Sequence, residues 1–155
     1  MIHVLIDDRQ TIKTLDHERI RSVAKTAVEA LDTKEAELSV LLVDDAGIQA
    51  MNARYLGRDR PTNVIAFPMK EGDFGDVTPG LLGDVVVSVE TAVAEAATAG
   101  SDMSFMMDFF LVHGILHLFG FDHEGDAAEA EAMGRRQDEI MALIKRSGKE
   151  IAQQD

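Results

Sequence analysis

The chain has 155 residues, 46% of them hydrophobic and 28% charged. That length predicts one domain, 1–155, able to bury a core, and the composition excludes a disordered, collagen-like or low-complexity chain. No cysteine is present, which excludes a disulfide framework, an iron–sulfur cluster, a thiolate-held zinc and a cysteine nucleophile. The formal net charge of −13 is unevenly spread: residues 51–70 carry four Lys/Arg against one Asp/Glu, and residues 71–155 carry five against seventeen. An acidic protein with one short basic segment is not a general nucleic-acid coat, but it can present a local basic cleft.

Residues 2–6 are apolar and β-branched and predict a strand. Asp16 is placed to cap a helix over 17–31, where Ile20, Val23, Ala24, Ala27, Val28 and Leu31 recur at helical spacing. A second strand runs over 38–43. Asp44 or Asp45 then caps a helix ending near Leu56, and the polar segment 57–63, which carries Pro61, is a loop. A short strand over 64–67 ends at Pro68. The Gly-rich stretch 70–80 predicts a loop that covers a cleft, and 84–89 a β-branched strand. Helices follow over 91–99, from a Ser101 cap to about Phe119, and over 127–147. The order β-α-β-α-β-β-α-α-α predicts an α+β domain: a small mixed β-sheet with helices packed on it, one of them buried.

The N-terminus shows no basic region followed by an apolar one, so no secretory signal is expected and a cytoplasmic protein is the default. The longest apolar stretch, Phe105 to Phe119, is interrupted by Asp108, His113 and His117. It is too short and too polar to cross a bilayer.

That stretch is the candidate buried helix, being apolar on every side. His113 and His117 stand at i and i+4, about 40° apart around a helix and about 6 Å apart along it. Both imidazoles can reach one ion at the ~2.0–2.1 Å of a zinc–nitrogen bond. Gly120 permits a left-handed turn, and His123 follows three residues later. Three of the chain's five histidines thus fall within eleven residues. Three protein nitrogens with the fourth position open are a catalytic zinc arrangement rather than a structural one, although nickel or copper also suits neutral nitrogens. His3 and His17 have no such company and read as surface residues.

Metalloproteases with a similar spacing carry a Glu directly after the first histidine as general base; here that residue is Gly114. A zinc peptidase would need its base elsewhere. Asp122, next to His123, is the candidate to orient a ligand imidazole, whereas Glu124 and Asp126 read as a solvated turn and an acidic helix start.

The run from His113 to His123, with Gly114, Leu116, His117, Leu118, Gly120, Phe121 and Asp122 between, resembles the signature of the YbeY family of bacterial endoribonucleases and rRNA maturation factors. A second block, Asn52 to Pro68, and a third, Leu82 to Ser88, are similar to that family's other two motifs. The resemblance spans about residues 36–145. It implies an α+β fold, one zinc ion held by His113, His117 and His123, and cleavage of single-stranded RNA. It also implies a role in 16S rRNA 3′-end processing and ribosome quality control, with the ribosome or its proteins as partners. A zinc-stabilised assembly factor that cuts nothing is the alternative of another class.

Two positions depart from the family pattern. Leu56 stands where an Arg is usual, and Ala66 where a Ser or Thr is usual. The missing cation has neighbours, because Arg54, Arg58 and Arg60 cluster in the basic segment. A guanidinium binds phosphate in two-pronged fashion and stabilises charge in phosphoryl transfer. Arg58 and Arg60 are therefore the candidates to take over the phosphate contact.

Overall fold

The computed structural model describes residues 1–69, 80–122 and 124–154. Its elements are β1 (Ile2–Asp8), α1 (His17–Ala30), β2 (Ala36–Val43), α2 (Asp45–Leu56), β3 (Val64–Pro68), β4 (Leu81–Ser88), α3 (Val89–Ala99), α4 (Met103–Leu118) and α5 (Ala127–Gln154). The expected order and the α+β class are those observed. The sheet runs β1-β2-β4-β3. β1, β2 and β4 are mutually parallel, and β3 runs antiparallel at the edge beside β4, with Ile65 opposite Val86.

Alternation along the strands divides the apolar side chains between two faces. On one face Val4, Leu38, Val40, Leu42, Val85 and Val87 join the main core with α1, α3, α4 and α5. On the other face Val43, Ile65 and Val86 form a smaller cluster under Ile48 of α2, with Phe67 packed against it. Helix α4 is the most enclosed: Val112, Ile115 and Leu116 have no solvent exposure. Each such aliphatic side chain contributes about 1.5–3 kcal/mol through burial. No helix among the described residues is long and apolar enough to cross a membrane.

The helix starts show which local signals prevailed. Asp16 caps α1 by accepting from the Arg19 amide, and Asp44, not Asp45, caps α2 through the Gly47 amide. Asp45 instead accepts the hydroxyls of Ser88 and Thr91, at 2.7 and 2.5 Å, and so ties α2 to α3. Ser88 in turn caps α3, which begins at Val89. The Ser101 cap expected for α4 does not form. Asp102 occupies the cap position without a side-chain bond, and the Ser101 hydroxyl is buried with no partner among the described residues. The last helix continues past Ser147, to Gln154. The loop expected to cover a cleft falls on residues 70–79, outside the described residues.

Candidate metal centre and the basic loop beside it

Helix α4 sets the two candidate ligands. His113 and His117 are half-buried on its last two turns. Their Nε2 atoms lie 3.2 Å apart, with ring centroids 4.7 Å apart and ring planes at 76°. Two nitrogens at that separation, each about 2.0–2.1 Å from one ion, subtend roughly 100° at it, close to a tetrahedral angle. The donor pair therefore fits zinc. Both Nε2 atoms must be unprotonated to bind a cation, which puts the ring proton on Nδ1.

The end of α4 holds this geometry. The Gly120 amide donates to the His117 carbonyl at 3.0 Å, and the Phe121 amide donates to Leu116 at 3.1 Å. Gly120 has φ +92°. Paired bonds of this kind around a left-handed residue are the Schellman stop, which favours glycine for lack of a Cβ. The turn expected after Phe119 is thus built as the sequence implies. His123, the third expected ligand, lies outside the described residues. Asp122 is exposed, and its carboxylate accepts the Glu124 amide at 2.8 Å.

Gly114 has a packing reason. A Cβ there would stand 2.5 Å from Val85 Cγ1 and 3.1 Å from Val64 Cγ2. The position after His113 therefore faces β3 and β4, with no room for a carboxylate. What reads in the sequence as an omitted general base is the contact that lets α4 lie flat on the sheet.

Arg58 and Arg60 stand exposed on the loop between α2 and β3, which leads directly into Val64. The structure brings neither guanidinium into contact with the histidine pair among the described residues, but it fixes their loop to α2. Asn52, only 3% exposed, donates from Nδ2 to the Arg60 carbonyl at 2.9 Å, and its own carbonyl accepts the Arg58 amide at 3.2 Å. The sequence reading did not assign this clamp. Its signal was an amide inside a helix that ends at a glycine five residues later. Leu56 is exposed as the last residue of α2.

A second missed feature anchors the other end of α4. Arg19 binds Asp108 through both nitrogens, at 2.8 and 2.6 Å. Burial pushes the Asp108 carboxyl above its usual range, and the Arg19 bonds only partly offset that push. The pair joins α1 to α4. Nearby, Gln137 of α5 donates to the Phe109 carbonyl at 3.1 Å.

These observations define an α+β domain with a histidine-based candidate metal centre and a clamped basic loop that leads into the edge strand packed on the same helix. A profile described as Endoribonuclease YbeY matches residues 5–145. The chain belongs to the YbeY family. It is 47% identical over 146 residues to the Endoribonuclease YbeY of Geobacter sulfurreducens, covering 94% of this chain and 97% of that protein. It is 39% identical over 142 residues to that of Syntrophus aciditrophicus, covering 91% and 89%. A solution structure from Thermotoga maritima superposes with a TM-score of 0.66 at 22% identity, over 100% of this chain and 96% of that one, and so shares the fold.

Proposed function

We propose that the chain is a zinc-dependent endoribonuclease specific for single-stranded RNA. We propose precursor rRNA at the 16S 3′ end as its substrate, the ribosome or its proteins as its partners, and a cytoplasmic place of action in rRNA maturation and ribosome quality control. Family membership supports the endoribonuclease activity. The observation that carries the metal reading is the pair of Nε2 atoms converging to 3.2 Å at the end of a buried helix.

His113 and His117, with His123, would hold one zinc ion. When bound, zinc supplies a Lewis acid for a phosphoryl oxygen and acidifies water. The chain's own residues do the rest. Arg58 and Arg60 hold phosphate and offset the charge that builds up as the bond breaks. Asp122 orients a ligand ring. Gly114 cannot be replaced by a carboxylate without displacing Val85, so the general base of a zinc peptidase has no place in this helix.

The test is cleavage of a labelled single-stranded RNA by zinc-loaded protein beside a folded His117→Ala variant. Loss of cleavage in the variant is expected. Absence of cleavage by the zinc-loaded wild type would overturn the enzyme reading in favour of a non-catalytic, zinc-stabilised assembly factor. Equal cleavage by both would trace the activity to a contaminating nuclease.

A further inference from the structure

Tyr55 is 56% exposed on the last turn of α2, although it is the only tyrosine in the chain and touches a second ring. Phe67 of the edge strand β3 meets it edge-on, with centroids 5.6 Å apart and planes at 73°. Phe67 rests on the smaller core cluster, so the bracing ring is itself seated. The Arg54 guanidinium stands 5.2 Å from the Tyr55 centroid. The clamp from Asn52 fixes Arg58 and Arg60 just beyond the same helix end.

We infer that Tyr55 is a nucleobase-stacking residue, and that the end of α2 is a subsite for one nucleotide of single-stranded RNA, reached from the histidine pair around the edge of β3. This rests on the endoribonuclease reading and adds a residue to it. Charge selects the occupant. Arg54 stands at the ring, and Arg58 and Arg60 follow on the adjoining loop, in a chain of net charge −13. Asp59, the acidic residue among them, is engaged by Gln49 Nε2 at 3.0 Å. A polyanion that also carries flat apolar faces matches an exposed ring with one guanidinium at it and two more on the adjoining loop, because stacking and phosphate contact are satisfied together. Stacking tolerates any base but needs it unpaired, which ties this subsite to single strands.

The topology sets the path. Val64 and Ala66 turn toward the α4 face of the sheet, whereas Ile65 and Phe67 turn toward the α2 face. β3 is the last strand on that side. A strand of RNA leaving the histidine pair therefore rounds the edge of β3 to reach Tyr55, and crosses no other strand among the described residues.

The experiment is equilibrium binding of a short single-stranded RNA carrying a fluorescent purine whose emission is quenched by stacking. It is read on wild type, Tyr55→Phe, Tyr55→Leu and an Arg58→Ala/Arg60→Ala double variant. Wild type and Tyr55→Phe should quench the probe. Tyr55→Leu keeps an apolar side chain at an exposed site, so the fold is retained; it should lose the quenching and bind roughly ten-fold or more weakly. Quenching and affinity unchanged in Tyr55→Leu, with binding weakened in the arginine variant, would overturn the stacking role and leave the endoribonuclease reading standing. If wild type binds no RNA, both fail. Strong binding of an acidic peptide in place of RNA would make the patch a protein contact and also overturn it.

Discussion

The Val85 side chain fills the space that a Cβ on Gly114 would need, with Cγ1 only 2.5 Å from that position. Gly114 is buried between His113 and the rest of α4 and faces the two valines of β3 and β4. Close approach of helix to sheet is thus part of how the histidine pair is placed. Gly114→Ala is expected to force α4 away from the sheet at about 1–3 kcal/mol, the usual cost of overpacking. Gly114→Glu adds a buried charge and should cost more. Urea denaturation read by circular dichroism measures both. An alanine variant as stable as wild type would show that the helix shifts freely.

The Arg19–Asp108 pair gives a second prediction. Asp108 is 7% exposed and Arg19 41%. Arg19→Met strands a buried carboxylate, an effect of about 3–5 kcal/mol for enclosed pairs; the exposure of the guanidinium puts this one toward the lower end. The Asp108 pKa is raised relative to the unfolded chain. Its ionisation therefore works against folding, and that penalty is absent at low pH, where the carboxyl is protonated, and grows as pH rises. The loss in Arg19→Met should accordingly be greatest where the carboxyl is ionised and shrink on acidification as it takes up its proton. The Arg19→Met/Asp108→Leu double variant should return to within about 1 kcal/mol of wild type. A double variant no better than the single one would refute this account.

Asp8 behaves in the opposite way. Burial acts to raise its pKa, but bonds from His17, at 2.8 Å, and from Gln10 outweigh it and leave the carboxyl below its ordinary 3.8. A lowered pKa contributes stability above the unfolded value and loses it as pH falls through the folded one. Asp8→Asn should be less stable than wild type at neutral pH, and the gap should close as pH drops below about 3.8. Denaturation curves at several pH values test this. A gap that persists at pH 2 would assign the loss to geometry rather than charge.

The element order was legible because hydrophobic period and turn chemistry agree along the chain. Gly57, Gly100 and Gly120 follow helices at positive φ, as their positions suggest. Ser101 was misleading because Asp102 stands one residue closer to the helix, and a cap choice of one residue depends on loop geometry that periodicity does not contain. The i,i+4 histidines and the glycine after them specify their own local geometry, so that part of the site could be read directly. Arg19 and Asp108 are 89 residues apart, and no local pattern joins them. Gly114 shows the converse difficulty: a glycine beside a candidate ligand histidine invites a chemical explanation, whereas its cause is Val85 on the facing strand.

Metal binding predicts a stability change independent of catalysis. A ligand that binds only the folded chain stabilises it by about 4 kcal/mol at a thousand-fold excess over its dissociation constant. Zinc should therefore raise the melting temperature of chelator-treated wild type, and the rise should vanish in His113→Ala and His117→Ala. Differential scanning calorimetry with and without zinc reads this directly. An equal rise in the variants would remove these residues from the metal site.

Arg58 and Arg60 should register in the salt dependence of RNA binding. Each single-strand phosphate neutralised contributes about −0.7 to the slope of log binding constant against log salt. Replacing both arginines with alanine should make that slope shallower by about 1.4 if each meets one phosphate. Their loop is held to α2 by backbone carbonyls and amides through Asn52, so the substitutions leave its anchoring bonds in place. A general loss of fold would lower affinity at every salt concentration; loss of two phosphate contacts lowers it most in dilute salt, and the curves converge as salt rises. An unchanged slope, with RNA cleavage also unchanged, would show that these two exposed arginines make no phosphate contact.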